Sequence, residues 1–173
     1  MRKYIVLLRG INVSGKNKIP MADLRDLLSS LQFQNIQTYI QSGNIVLESN
    51  EDKSVICNKI KEGIQNKFGF DVPVLARTIQ EWKKAIENYP FSIKNEKIVA
   101  FTFLNKASKE SVIEVKNIGE DKYKIVDDVV YLYCPLGFGK TKLTNNSIEK
   151  KLNVIATTRN LRTVKRLLDL SKL

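Results

Sequence analysis

Residues 36–49, IQTYIQSGNIVLES, hold the pattern on which the fold turns. Residues 36–41 and 44–49 alternate apolar with polar side chains on either side of Ser42-Gly43. Period-two alternation interrupted by a turn dipeptide predicts a tight β-hairpin. Toward the N-terminus, the apolar run YIVLL at 4–8 ends at Arg9-Gly10. Pro20 then opens a stretch in which Leu24, Leu27, Leu28 and Leu31 recur at helical spacing. That is strand, loop and helix, with proline at the first helical position. Toward the C-terminus, Ile56, Ile60, Ile64 and Phe68 make one apolar face before Gly69, and 72–77 reads as a fourth strand.

The resulting order, β-α-β-β-α-β, predicts an α+β protein whose N-terminal half is ferredoxin-like, with four antiparallel strands and two helices on one face. If the first strand runs upward, its crossover helix returns downward and the second strand runs upward again. The hairpin at 41–44 then lies at the same edge as the loop that follows the first strand. Because the first and third strands are neighbours in this topology, residues 9–18 (RGINVSGKNK) and 39–44 (YIQSGN) should form one surface.

The second half predicts a smaller α/β part. Thr78 followed three residues later by Glu81 is a capping box, and Trp82, Ala85, Ile86 and Tyr89 give the helix behind it an apolar face. Residues 97–104 read as a strand, 108–115 as a short helix, and 123–126 with 129–134 as a hairpin around Asp127-Asp128. Short helices are expected at 147–152 and 161–170. A boundary near 78–92 divides the chain into a ferredoxin-like domain, 1–80, and a basic α+β domain, 81–173.

With 173 residues, 43% of them hydrophobic, the chain can bury a core as one large domain or two small ones. No apolar run approaches the roughly 18 residues that span a bilayer, and Arg9 comes too early for the apolar region of a signal peptide. The expected location is the cytoplasm, with no membrane partner. Cys57 and Cys134 then read as small buried apolar residues rather than a disulfide.

Histidine is absent, which removes serine-histidine triads, papain-like dyads, most zinc sites and imidazole acid-base chemistry. No metal site and no cofactor is assigned. The formal charge is +11 and unevenly spread: residues 139–173 carry nine Lys or Arg against Glu149 and Asp169, a net of +7.

In the first polar loop, Gly10, four residues and then Gly15-Lys16 make most of a phosphate-binding P-loop. Asn17 stands where a magnesium-binding hydroxyl belongs, however, and further residues separate Lys16 from the helix. Gly139-Lys140-Thr141 is a weaker match, and a glycine-rich turn explains it. Residues 157–160 (TTRN) precede the last helix, so a threonine cap is expected there. The sharper reading adds Arg159 and the free N–H groups of the helix start as an anion site. Arg162, Lys165 and Arg166 make the outer face of that helix basic, as a solvated face or a nucleic-acid backbone footprint requires. The third strand, NIVLE at 44–48, lacks the aromatics of RNA-recognition domains.

The stretches LLRGINVSGKNKIPMADLRDLL, TYIQSGNIVLES and ATTRNLRTVKRLLDL closely resemble a family of bacterial conserved proteins catalogued as domain of unknown function 1697. The resemblance implies a two-part α/β protein and no established activity. The family's recurring stretches fall here on Arg9, Gly10, Asn12, Gly15, Lys16, Tyr39, Gln41, Ser42, Gly43, Asn44, Thr158, Arg159 and Asn160. Ser14 departs from the glycine that such proteins often carry.

Together these readings predict an anionic, phosphate-bearing small-molecule ligand. Arg9, Lys16 and Arg159 would supply charge, and Asn12, Gln41, Ser42 and Asn44 would orient the ligand, with Thr158 and Asn160 as further candidates. A structural role in turns competes for Gly10, Gly43 and Asn44. The competing functions are nucleic-acid backbone binding through the basic C-terminal region and an enzyme acting on a small phosphorylated substrate.

Overall fold

The computed structural model describes residues 1–173. It is a mixed α+β protein with two four-stranded antiparallel sheets and five α-helices. The chain divides into two compact units, Met1–Lys84 with Leu167–Leu173, and Ala85–Arg166.

In the first unit, β1 (Arg2–Leu8), α1 (Met21–Ser30), β2 (Gln34–Tyr39), β3 (Asn44–Ser49), α2 (Lys53–Phe68) and β4 (Val74–Thr78) follow one another. The sheet order is β2-β3-β1-β4. Strand alternation sends Tyr4, Val6 and Leu8 of β1 with Ile45 and Leu47 of β3 into one core, where they meet Leu24, Leu27 and Leu28 of α1 and Ile56, Ile60 and Ile64 of α2. Both helices therefore cover the same face of the sheet. Gly69, in the left-handed conformation (φ 77), ends α2 as expected. Pro20 stands one residue before α1, at its cap. The capping box is present: Thr78 N–H donates to Glu81 (2.8 Å) and Glu81 N–H to the Thr78 hydroxyl (3.2 Å). It opens α3 (Ile79–Glu87), the helix on which the division into units falls.

In the second unit, β5 (Val99–Leu104), β6 (Lys122–Val126), β7 (Val129–Tyr133) and β8 (Ala156–Asn160) form a sheet ordered β6-β7-β5-β8. The helix α4 (Asn145–Leu152) packs Ile148 and Leu152 against Ala100, Leu132 and Ala156. Tyr89, Phe101 and Tyr131 form a ring cluster with centroids 5.4 to 5.8 Å apart, and Tyr131 donates its hydroxyl to the Ala85 carbonyl at 2.7 Å. The β6–β7 hairpin turns at Asp127-Asp128, with Asp127 at φ 53. The final helix, α5, spans Leu161–Leu170.

Two expectations need correction. Residues 108–115 form no helix. The Ser108 hydroxyl takes the Glu110 N–H instead (3.0 Å), and Ile113 is pinned by the Tyr123 hydroxyl, which accepts its N–H at 2.9 Å. Local side-chain bonding and β-branched residues defeat helix here. Residues 157–160, expected to hold a threonine cap for the last helix, belong to β8, paired with β5 through Phe101↔Arg159 and Thr102↔Thr158. The residue that caps α5 is Asn160, whose Oδ1 accepts Thr163 N–H at 2.9 Å, and no threonine does so.

Candidate functional site

The first polar loop leaves β1 between two neighbours. Leu8 N–H donates to the Gly43 carbonyl (2.8 Å) and Arg9 N–H to the Pro73 carbonyl (3.0 Å). Gly10, at φ 74, turns the chain, and Ile11 is buried beneath it. Residues 12–17 then form a miniature hairpin. Val13 and Lys16 pair across it, Lys16 N–H donates to the Val13 carbonyl (2.9 Å) and Asn12 N–H to the Asn17 carbonyl (3.1 Å). Its two central residues, Ser14 (φ 49) and Gly15 (φ 74), both lie in the left-handed region, the signature of a type I′ turn. This geometry differs from a P-loop: Lys16 N–H is spent inside the turn, and the Asn17 side chain donates to the Gly10 carbonyl at 3.0 Å.

Asn12 joins this loop to the β2–β3 hairpin. Its Oδ1 accepts Ile19 N–H (2.8 Å), while its Nδ2 donates to the Ile19 carbonyl (3.0 Å) and to the Gln41 carbonyl (2.8 Å). Asn44, fully buried, donates from Nδ2 to the Tyr39 carbonyl (3.1 Å) and the Ser42 hydroxyl (2.9 Å). Asn12 ties the two loops together at one edge, and Asn44 braces the hairpin turn from within. What that edge offers to solvent is Lys16, Lys18 and Gln41, with Arg9 and Ser42 half-buried. No Asp or Glu occurs in residues 1–22 or 34–47. Two apolar side chains stand there as well, Val13 (56% exposed) and Ile40 (51%). Lys18, Val13 and Ile40 all lie in the stretches already singled out, but nothing in the sequence marks the two apolar residues as candidates within them.

A groove of about 280 Å³ on the sheet of the same unit is lined by Lys3, Asn35 and Glu48, among others. There Glu48 takes both the Lys3 ammonium (3.8 Å) and the Asn35 amide (2.8 Å), so its charge is balanced internally.

In the second unit, Thr158 Oγ1 lies 2.7 Å from Thr102 Oγ1 and donates to Asn145 Oδ1 at 2.7 Å. Arg159 is buried, with its guanidinium donating to the Thr157 hydroxyl (2.7 Å) and the Thr158 carbonyl (2.9 Å). Burial pushes its pKa down to about 10, and the group still carries its charge at neutral pH. On α5, Arg162 and Arg166 are exposed, but Lys165 pairs with Glu96. Gly137 to Lys140 form a turn, followed by Thr144 capping α4. Burial raises the Cys134 thiol to about 11 and also raises Cys57. Neither thiol is a ready thiolate at neutral pH. Cys134 is accordingly expected to stay unreactive toward a thiol-specific disulfide reagent in the folded protein and to react only in denaturant.

The family described as a protein of unknown function (DUF1697) matches residues 1–131. The chain belongs to the DUF1697 family. The region of this DUF1697 chain that carries the match includes the whole Arg9-to-Asn44 edge. The chain is also similar to the conserved bacterial protein SP0830 from Streptococcus pneumoniae, at 23% identity and a TM-score of 0.73 over 98% of each chain. At that identity the likeness speaks for the fold alone. No curated protein matches the chain. No helix is long and apolar enough to cross a membrane.

Proposed function

We propose that this protein is cytoplasmic and that it binds a phosphate-bearing or otherwise anionic small molecule at the edge built by residues 9–18 and 39–44. The first unit is read as a ferredoxin-like module; the element order β-α-β-β-α-β and the spatial order β2-β3-β1-β4 support that reading. The observation that carries the functional proposal is the Asn12 bridge to Gln41, which joins a loop bearing Arg9, Lys16 and Lys18 to a hairpin turn, residues 39–44, that holds no acidic residue. A rigid cationic edge loses little entropy on capturing an anion. Lys16 and Arg9 would supply charge, and Gln41 and Ser42 neutral hydrogen bonds. Arg159, Thr158 and Asn160 belong to the other unit, where their hydrogen bonds serve β8 and the start of α5.

The test is a thermal-shift screen against pyrophosphate, sugar phosphates, nucleotides and short RNA and DNA at low and moderate salt. A small-molecule shift that survives moderate salt is expected. Arg9→Ala with Lys16→Ala should weaken it by at least about tenfold in affinity, since charge-assisted phosphate contacts are the strong ones. Indifference of every affinity to that double substitution would overturn the proposal. A shift with polynucleotides only, lost as salt rises, would transfer the function to the basic C-terminal region.

A further inference from the structure

The cationic edge also carries an unusual backbone. Ile40 sits at φ 50, a conformation that glycine or asparagine adopts readily and a β-branched residue does not. It is nonetheless 51% exposed, so core packing is a weak reason for isoleucine at this turn. Strain held in an exposed, well-anchored loop points to use rather than to architecture. Val13, 56% exposed, is the cross-strand partner of Lys16 in the miniature hairpin, so an aliphatic side chain and a cation stand side by side. Val13 adjoins Asn12 and Ile40 adjoins Gln41, and the Asn12–Gln41 bond of 2.8 Å brings both aliphatic residues to the junction of the two loops.

Resting on the anion-binding reading, we propose that the ligand is an organic phosphate ester whose non-phosphate part is a flat or branched apolar group. That group would lie against Val13 and Ile40 while Arg9, Lys16 and Lys18 hold the phosphate. Scale selects this occupant: two aliphatic side chains cover a group of nucleobase size, whereas a stable protein partner needs about 800 Å² on each side.

The experiment compares adenosine monophosphate with ribose 5-phosphate, which share the phosphorylated ribose and differ in the base. Calorimetric titration at moderate salt should show the nucleotide binding about tenfold more tightly, as burial of modest apolar area provides. Val13→Ser and Ile40→Asn should each shrink that advantage to less than about threefold while leaving ribose 5-phosphate affinity unchanged. Ile40→Asn, which suits the left-handed turn, should leave the melting midpoint equal or higher. Arg9→Ala with Lys16→Ala should weaken both ligands. Equal affinity for the two phosphates, or a fall in the melting midpoint with Ile40→Asn, overturns the inference while leaving anion binding intact. Binding to phosphatidylglycerol vesicles without binding to the soluble nucleotide also overturns it. Failure of both phosphates to bind defeats the underlying anion-site reading instead.

Discussion

Replacing Gly43 with alanine is expected to destabilise the first unit by about 2 to 4 kcal/mol, the sum of a left-handed-conformation cost and an overpacking cost. Gly43 lies at φ +79, and an added Cβ would stand 2.6 Å from Leu8 Cβ and 3.1 Å from Ile11 Cδ1. Leu8 Cβ has no rotamer by which to escape, and the Leu8 N–H is already bonded to the Gly43 carbonyl at 2.8 Å. The hairpin must therefore lift away from β1 or the β1 end must move. Gly15→Ala is the matched control. It too has a positive φ (+74), but its nearest neighbour is the flexible end of Lys18 at 3.9 Å, so only the conformational cost remains, about 1 kcal/mol. Urea unfolding should give a much lower midpoint for Gly43→Ala than for Gly15→Ala at similar slope. Equal midpoints would show that the close approach of the hairpin to β1 does not matter.

Asn12→Asp should cost about 1 to 2 kcal/mol at neutral pH, since it leaves two carbonyl acceptors, one of them part-buried, without their donor and sets a charge against them. The shape is kept and the Oδ1 acceptor for Ile19 N–H survives. The amide that donates to the Ile19 carbonyl (3.0 Å) and the Gln41 carbonyl (2.8 Å) becomes an oxygen facing two oxygens. Those carbonyls raise the new carboxyl's pKa in the folded state above its unfolded value of about 3.9. The protonated form is then the one the fold tolerates. The deficit should shrink as pH falls toward the unfolded pKa and grow as pH rises through the folded one. Asn12→Ala, which loses the same bonds without adding a charge, should show no such pH dependence. Ligand affinity should fall in both variants, because the loop is no longer tied to the hairpin. A pH-independent penalty for Asn12→Asp would mean that the amide does not hold the loops together.

The order of elements in the first unit was legible because each signal was local: alternation around Ser42-Gly43, leucines at helical spacing, and glycine ending α2. The approach of the two polar loops was legible too, since adjacency of the first and third strands requires it, and the structure pairs Leu7 with Asn44. Residues 157–160 were misread because a short edge strand of Thr and Arg carries no apolar alternation, and its pairing with β5 is set by residues more than 50 positions away. Chain position could not separate strut from ligand contact at Asn12 and Asn44, since the same amide suits both. Ile40 escaped notice because a positive φ at isoleucine runs against its own propensity, so only the folded turn reveals it.

The most direct test of the central claim is a two-dimensional amide NMR titration of the full chain with ribose 5-phosphate and with adenosine monophosphate at moderate salt. The account expects the largest shifts at the amides of residues 9–18 and 39–44, with α5 and the turn at Gly137 to Lys140 unmoved. Saturable shifts confined to Arg162, Arg166 and their neighbours, or no saturable shift at the joined loops with either phosphate, would contradict it.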